Sequence, residues 1–254
     1  MRELDYKKVL SDIQFWIKDY VSFAKVDGVV IGISGGIDSA VTATLCVKSL
    51  KKEKVIGLGL PCSSIPQDLE DAKMFAESLG IKFLIIDLTY VYNEFVKHVS
   101  PHLKSNKIAM ANLKPRLRMM TAYFVGQSLG NYLVVGTGNR TELAIGYFTK
   151  YGDGGVDIEP LGSLYKCEVR EIGKCLGIPE KIIKKPPSAG LWEGQTDEGE
   201  IGLTYDVIDE ILYRLDYNLG FEGLNKDDTN KVKEMIKKAK HKLNIPPIFK
   251  ISKS

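Results

Sequence analysis

The segment after the first predicted strand combines two serines, two glycines and an aspartate, residue types that can bind phosphate and a divalent cation. It reads Ser34-Gly-Gly-Ile-Asp-Ser39 and lies between an apolar β-branched run and a predicted helix. A helix N-terminus leaves backbone N–H groups unpaired and carries partial positive charge, and glycines let a polyanion approach them. Asp38 would repel a phosphate unless a cation came between them, so the segment predicts Mg²⁺. The alternative is a plain glycine turn in which Asp38 and Ser39 cap the helix.

A second polar segment, Val135-Gly-Thr-Gly-Asn-Arg-Thr-Glu142, also joins a strand to a helix. Ligands of open α/β sheets bind at the carboxyl ends of the strands, so we expect Thr137 and Glu142 at the same edge as Ser34. Glu142 can supply a second carboxylate for magnesium. The alternative is an acid in the first turn that complements the helix dipole.

The elements that must position these segments follow from the period of the apolar residues. Helical periodicity predicts helices over residues 4–25, 39–50, 67–79, 107–129, 205–219 and 227–240, and a helix that begins near Asn139. Short apolar runs predict strands over residues 28–33, 54–60, 82–87 and 132–135. Strands that alternate with helices at this spacing predict an α/β fold, a doubly wound parallel sheet with extra C-terminal helices.

Two irregular stretches are candidate lids. Residues 147–157 are rich in glycine and aromatic side chains, and residues 186–202 form a long acidic loop. Long irregular loops in a compact domain are usually functional or disordered. Their glycines would permit movement over a site.

Composition excludes several classes of protein. The chain has 254 residues, a formal net charge of +3 and 26% charged residues, which suits a globular protein and gives little support for binding nucleic acid or an anionic membrane. No apolar run reaches the roughly 18 residues of a membrane span, and the first 16 residues lack the apolar core of a signal peptide. The four cysteines form no Cys-x-x-Cys pair. We therefore expect a cytoplasmic protein with reduced thiols.

The loop Ser34-Gly-Gly-Ile-Asp-Ser39 resembles the signature of the ATP pyrophosphatases with an adenine-nucleotide α-hydrolase-like, Rossmann-like fold. Within that group, Gly136-Thr137 with Glu142, followed by Gly146-Tyr-Phe-Thr-Lys-Tyr-Gly-Asp-Gly-Gly-Val-Asp157, is similar to the ammonia-dependent NAD synthetases. The similarity continues through Pro160-Leu-Gly-Ser-Leu-Tyr-Lys166, Pro187-Ser-Ala-Gly-Leu191 and His241-Lys242, and so covers nearly the whole chain.

The resemblance implies an ATP-dependent ligase. It would amidate deamido-NAD with ammonia to give NAD, AMP and pyrophosphate, through an adenylated carboxylate, with Mg²⁺ as cofactor and ATP as co-substrate. It also implies a homodimer. Members that use glutamine carry an additional amidase domain, and residues 1–254 have no room for one, so we expect one synthetase domain that uses free ammonia or ammonia made by a separate protein.

Matching positions assign the residues. The implied ATP-binding set is Gly32, Ile33, Ser34, Gly35, Gly36, Ile37, Asp38, Ser39, Thr137, Lys166 and Ser188. The implied metal ligands are Asp38 and Glu142, and the implied catalytic residues are these two and Lys166. The implied deamido-NAD set is Arg116, Lys150, Asp157, His241 and Lys242, and Arg118 replaces Arg116 if the match slips by one residue.

Two other functions remain open at this point. A tRNA thiolation enzyme uses the same loop but needs a reactive cysteine and a basic RNA face, for which Cys62 is the sole candidate. A regulatory ATP-binding module would not require Asp38, Glu142 and Lys166 together.

His98 and His102 have the spacing of a helical metal pair, but Pro101 between them argues against a regular helix there.

Overall fold

The computed structural model describes residues 1–104, 106–188, 190 and 194–251. Four strands form its sheet: β1 (Gly28–Gly32), β2 (Val55–Gly59), β3 (Lys82–Ile85) and β4 (Tyr132–Val135). The helices of the first half are α1 (Tyr6–Ala24), α2 (Ile37–Leu50), α3 (Pro66–Leu79), α4 (Thr89–Val99), α5 (Lys107–Leu129) and α6 (Arg140–Ile145). Those of the second half are α7 (Lys166–Leu176), α8 (Glu180–Ile183), α9 (Asp197–Ile201), α10 (Tyr205–Asp216) and α11 (Lys226–Leu243).

The sheet is parallel throughout, with the strand order β3-β2-β1-β4. Alternate side chains of β1 enter different apolar clusters. Val29 and Ile31 pack with α1, α2 and α7 on one face, whereas Val30 packs with Ala122 and Val125 of α5 on the other. Strands covered on both faces become continuous apolar runs, which explains why the sequence shows them as such. The predicted doubly wound α/β fold is confirmed.

The C-terminal helices build a cluster of their own. Ile208, Ile211 and Leu212 of α10 pack with Val232 of α11 and with Ala144 of α6. These helices therefore attach to the sheet through α6 and α7, directly beside the segment that follows β4.

The structure adds helices that periodicity did not predict. Helix α4 follows β3, and the short α8 and α9 lie in the region between α7 and α10. The acidic stretch 186–202 is thus not wholly irregular, because Thr196 caps α9 through its hydroxyl. Residues 189 and 191–193 of that stretch lie outside the described residues.

His98 lies in α4 and pairs with Glu94 at 3.7 Å, while His102 lies in a separate 3₁₀ turn.

Strand order reverses between β1 and β4. The chain runs outward from β1 through β2 to β3, then crosses back to place β4 on the other side of β1. A crevice opens at such a reversal, at the carboxyl ends of the strands. The segments after β1 and β4 are the two polar segments of the sequence, so they lie side by side.

Within the described residues, no helix is both long and apolar enough to cross a membrane.

Candidate active site

The loop after β1 is built around two serine hydroxyls. Ser39 donates from its hydroxyl to the Gly36 carbonyl at 3.0 Å and accepts from the Ser34 backbone N–H at 3.1 Å. The Ser34 and Ser39 hydroxyls are 3.1 Å apart. Gly35 has a φ of +78°, and an ideal Cβ there would lie 2.6 Å from the Asp68 carbonyl oxygen, so only glycine fits.

Helix α2 begins after Gly36, which has no side chain to cap it. The alternative of a helix capped by Asp38 and Ser39 is therefore not what the structure has. The N–H groups of the first turn lack a side-chain cap and can bind an anion.

The centre of the site is an ammonium between two carboxylates. Lys166 Nζ lies 2.5 Å from Asp38 Oδ2 and 3.0 Å from Glu142 Oε1. The Lys166 side chain is only 2% exposed, and its ammonium lies 4.9 Å from the centre of the Tyr205 ring. Lys166 is the first residue of α7, and its backbone N–H donates to the Thr141 hydroxyl, which fixes α7 against α6.

Electrostatics explains why the three groups stay together. Burial lowers the pKa of Lys166, but the charges of Asp38 and Glu142 outweigh this effect and raise it overall. Burial raises the pKa of Glu142, Lys166 lowers it, and the like charge of Asp38 raises it further. One ammonium thus offsets two carboxylates that would otherwise repel each other.

Asn139 links the two polar segments, although it was not among the predicted site residues. Its amide Nδ2 donates to Asp38 Oδ1 at 2.8 Å, and its Oδ1 accepts from the Glu142 backbone N–H at 3.0 Å. The Glu142 carboxylate in turn accepts from the Asn139 backbone N–H, which completes a capping box on α6. The spacing Asn-x-x-Glu before an apolar turn was the signal that could have identified this residue.

Tyr205 and Asp197 close the site on the side of α10. The Tyr205 hydroxyl lies 2.9 Å from Asp197 Oδ2 and 3.4 Å from Glu142 Oε1. Neither residue was predicted, because one lies in a stretch interpreted as a loop and the other in an ordinary amphipathic helix. The hydroxyl of Tyr147 also donates to Glu200 at 2.9 Å, so the two predicted lids touch each other.

Glu159 shapes the segment after β4. One of its carboxylate oxygens accepts from the Gly138 backbone N–H at 3.0 Å, and its carboxyl group fills the space beside Gly136 where a Cβ would be. Burial raises the pKa of Glu159 to about 8, the Gly138 hydrogen bond opposes the shift, and the charges of Glu142 and Asp153 add to it.

A cavity of about 540 Å³ opens beside the segments that follow β1 and β4, although Asp38, Glu142 and Lys166 are not among its lining residues. Its lining includes six residues of the predicted ATP and deamido-NAD sets, namely Gly32, Ile33, Ser34, Thr137, Ser188 and Lys242. It also includes Arg118 but not Arg116. Arg118 donates to the Leu60 carbonyl at 3.0 Å and to the Ser64 hydroxyl at 3.2 Å.

Arg116, Lys150 and His241 of the predicted deamido-NAD set do not line the cavity, but they contact one another next to Lys242, which does. Arg116 donates to the Lys150 carbonyl at 3.4 Å, and Lys150 Nζ donates to the His241 carbonyl at 2.5 Å. Lys242 Nζ donates to the carbonyls of residues 146 and 148 at 2.7 Å each. Asp157 lies apart from them, where it accepts from the Tyr123 hydroxyl and from the Val134 backbone N–H.

The carboxylates of the site can hold a cation, but they supply few ligands. Among the described residues, no group of three or more His, Cys, Asp or Glu side chains is arranged to hold a metal ion. Asp38 and Glu142 form a pair, and their convergence on one ammonium shows that the space between them suits a positive charge. A hard cation there would need oxygens from a bound phosphate to complete its coordination.

The cysteines do not support sulfur transfer. Cys62 is 0% exposed, and burial raises the pKa of its thiol. A thiol that is buried and protonated is a poor nucleophile.

Comparisons with known proteins agree with this geometry. The family model described as NAD synthase matches residues 9–246. The chain is 50% identical over 236 residues to an NH(3)-dependent NAD(+) synthetase of Carboxydothermus hydrogenoformans, covering 92% of this chain and 93% of that one.

Two solved structures are similar over nearly the full length of both chains. One is an NMN synthetase from Francisella tularensis, with a TM-score of 0.88, 36% identity and coverage of 97% of this chain and 100% of that one. The other is an NH3-dependent NAD synthetase from Campylobacter jejuni, with a TM-score of 0.83, 32% identity and coverage of 98% and 100%.

Proposed function

The chain belongs to the NAD synthase family, and from this premise we propose that it amidates deamido-NAD with ammonia at the expense of ATP, giving NAD, AMP and pyrophosphate. The observation that carries the proposal is the Asp38–Lys166–Glu142 centre beside the serine and glycine loop after β1. Mere nucleotide binding does not require two partly buried carboxylates and a buried ammonium at the phosphate loop.

The residues have distinct tasks in this reaction. The loop of residues 34–39 binds the ATP phosphates through backbone N–H groups and the hydroxyls of Ser34 and Ser39. Thr137 and Ser188, which line the cavity, contact ATP. The substrate carboxylate attacks the α-phosphorus of ATP and pyrophosphate leaves. Lys166 supplies a fixed positive charge that offsets the negative charge developing on the phosphates.

Asp38 and Glu142 are the residues that would hold Mg²⁺. A bound magnesium ion supplies charge neutralisation of the phosphates during their transfer. Asn139 orients Asp38 through its amide, and Tyr205 contacts Glu142, so both carboxylates are held in place by neighbours.

The second half of the reaction needs no side-chain nucleophile. Ammonia attacks the acyl carbon of the adenylate, a C–N bond forms, and AMP leaves with the electron pair of the broken C–O bond. Water would destroy the adenylate, so the site must be closed while it exists. The contact between Tyr147 and Glu200 supports a role for residues 147–157 and 186–202 in this closure.

Arg116, Lys150, Asp157, His241 and Lys242 are proposed to bind deamido-NAD. Lys242 lines the cavity, and hydrogen bonds connect Arg116 to Lys150 and Lys150 to His241, which precedes Lys242 in α11. The position of Arg118 in the cavity lining supports it as the alternative to Arg116.

We further propose a single synthetase domain in a cytoplasmic homodimer that uses ammonia directly. Large apolar side chains exposed on α4 and α5 support the dimer, since Tyr90 is 75% and Phe124 73% exposed in the monomer. Sedimentation at micromolar concentration would give the mass of two chains, and a monomer would contradict this part of the proposal.

A second candidate substrate is nicotinic acid mononucleotide. The similarity to an NMN synthetase of TM-score 0.88 favours testing it, because the same adenylation chemistry would convert this smaller acid into its amide. The two substrates differ by an adenylate portion, so the ratio of their kcat/KM values shows which of them the protein prefers.

One assay tests the function. The protein is incubated with ATP, magnesium, ammonium and either deamido-NAD or nicotinic acid mononucleotide, and the products are separated by chromatography. We expect NAD and AMP in equal amounts from deamido-NAD, at a higher kcat/KM than for the mononucleotide. Release of ADP, or AMP formation that does not depend on the acid substrate, would contradict the proposal. Asp38→Asn, which keeps the shape of the side chain, should abolish turnover.

A further inference from the structure

A second charged cluster contacts the loop of residues 34–39, the proposed phosphate loop. Lys185, just after α8, places its Nζ 2.7 Å from Asp68 Oδ1 and 3.1 Å from Asp71 Oδ2, both on α3. The same Nζ lies 3.4 Å from the Gly35 carbonyl oxygen. Lys181 also pairs with Asp71, at 2.7 Å, but among the described residues it makes no hydrogen bond to the loop.

The Gly35 carbonyl belongs to the peptide group that turns the loop. A trans peptide group is planar, so its C=O and N–H point to opposite sides. The carbonyl faces Lys185, and the N–H of Gly36 on the other side donates to the Ser34 hydroxyl at 3.3 Å. The orientation of this one peptide group therefore decides whether an N–H or a carbonyl faces the serine hydroxyls.

The peptide group between Gly35 and Gly36 can rotate easily because both residues are glycines. Gly35 is at φ +78° and is followed by a second glycine, so rotation of the peptide group between them meets little steric resistance. A rotated peptide group would direct a carbonyl oxygen toward bound phosphates, which repel it.

We propose that Lys185 is a positioning residue that holds the Gly35 carbonyl away from the bound phosphates, with its ammonium oriented by Asp68 and Asp71. The proposal rests on the proposed binding of ATP at this loop. Lys185 acts through the backbone of the loop and does not take part in the chemical step.

The carboxylates of Asp68 and Asp71 keep the Lys185 ammonium charged and in one position. Asp71 is 4% exposed, and although burial raises its pKa, hydrogen bonds from Lys181, Gln67 and Lys185 lower it to about 2. Burial lowers the pKa of Lys185, but its bonds to Asp68 and Asp71 raise it overall. Lys185 also precedes Ser188 of the cavity lining by three positions.

Lys181 offers a matched control for the test. It shares Asp71 with Lys185 but is 65% exposed, whereas Lys185 is 27% exposed and contacts Gly35. The experiment compares Lys185→Met, Lys185→Arg and Lys181→Met. Dissociation constants are measured by calorimetry for ATP with magnesium and for adenosine, which has no phosphates.

We expect Lys185→Met to weaken ATP binding by about tenfold, as loss of one charge-assisted hydrogen bond predicts. Adenosine binding should change less than about twofold. Lys185→Arg should recover most of the affinity, and Lys181→Met should bind ATP like the unaltered protein. The KM for ATP should rise while the KM for deamido-NAD stays constant.

Three results would overturn the proposal: unchanged ATP binding in Lys185→Met, an equal loss for adenosine, or an equal loss in Lys181→Met. If Lys185→Met does not fold, Asp68→Asn tests the same idea by removing the nearer partner of the ammonium, and unchanged ATP binding there would also overturn it. Failure of the proposed function is separate, because it appears as absence of NAD from the unaltered protein, whereas the binding measurements need no second substrate.

Discussion

Lys166 Nζ lies 2.5 Å from Asp38 Oδ2, although 128 positions separate the two residues in the chain. Asp38 is in the first turn of α2, after β1, and Lys166 begins α7. The contact joins the loop of residues 34–39 to the helices that follow β4. It places Lys166 between Asp38 and Glu142, the two residues proposed to hold a cation. Replacing this ammonium should therefore affect both the proposed phosphate site and the proposed cation site.

Lys166→Met should lower kcat/KM by about 10²- to 10³-fold, because a fixed charge at the phosphates is lost. It should also tighten binding of Mn²⁺ in the absence of nucleotide, since Asp38 and Glu142 lose their counter-charge. Mn²⁺ binding can be measured by electron paramagnetic resonance. Lys174→Met is a control on the same helix, because Lys174 is 59% exposed and pairs only with Glu171 among the described residues. Unchanged turnover in Lys166→Met would contradict the role given to it.

Asn139→Ala should destabilise the protein and impair turnover together. The substitution removes the cap of α6 and the hydrogen bond to Asp38, so we expect a loss of about 1–3 kcal/mol in the free energy of unfolding. Urea denaturation measures the first effect and NAD formation the second. Asp5→Ala removes a cap from α1 that bonds only to Lys7 and Lys8 among the described residues, so it should lower stability without changing kcat. If both variants behave alike in turnover, Asn139 does not orient Asp38.

Glu159→Gln should change how stability depends on pH. The pKa of Glu159 rises from 4.5 to about 8 in the folded protein, because burial disfavours its charge. Between these values the folded state holds a proton that the unfolded state has released, so stability falls as pH rises from about 4.5 to 8. Gln cannot ionise, and it keeps an oxygen that can accept from Gly138. The Tm of the variant relative to the unaltered protein should therefore increase across this window by at least ~2 °C. A Tm difference that is constant with pH would contradict the raised pKa.

Gly136→Ala should destabilise the protein by about 1–3 kcal/mol, because its Cβ would overlap the carboxyl group of Glu159. Gly32→Ala is the control, since a Cβ there meets no atom within 4 Å. In the double variant with Glu159→Ala, the cost of Gly136→Ala should largely disappear, which a double-mutant cycle of unfolding free energies measures. Additive losses would show that Glu159 does not occupy that space.

Much of the fold could be predicted from local sequence patterns. Helix α5 and strand β4 have the predicted bounds, residues 107–129 and 132–135, because Asn106 caps the helix and Gly130 ends it. Helix α4 was not predicted, since a short segment between a strand and a proline gives too few turns to show a period. Alternation of β1 side chains between two clusters was not visible either, because both faces of the strand are apolar.

The sequence by itself determined the serine and glycine loop after β1, the parallel sheet and the edge at which the polar segments meet. These depend on neighbouring residues: a glycine with φ +78°, a strand followed by a helix, and the fixed hand of the crossovers. Only the tertiary structure decided that Lys166 lies between Asp38 and Glu142, that Asn139 and Tyr205 brace them, and that Lys185 holds Gly35. Such contacts depend on how α3, α7 and α10 pack around the sheet, and no local pattern in the chain encodes distances between residues that are 24 to 150 positions apart.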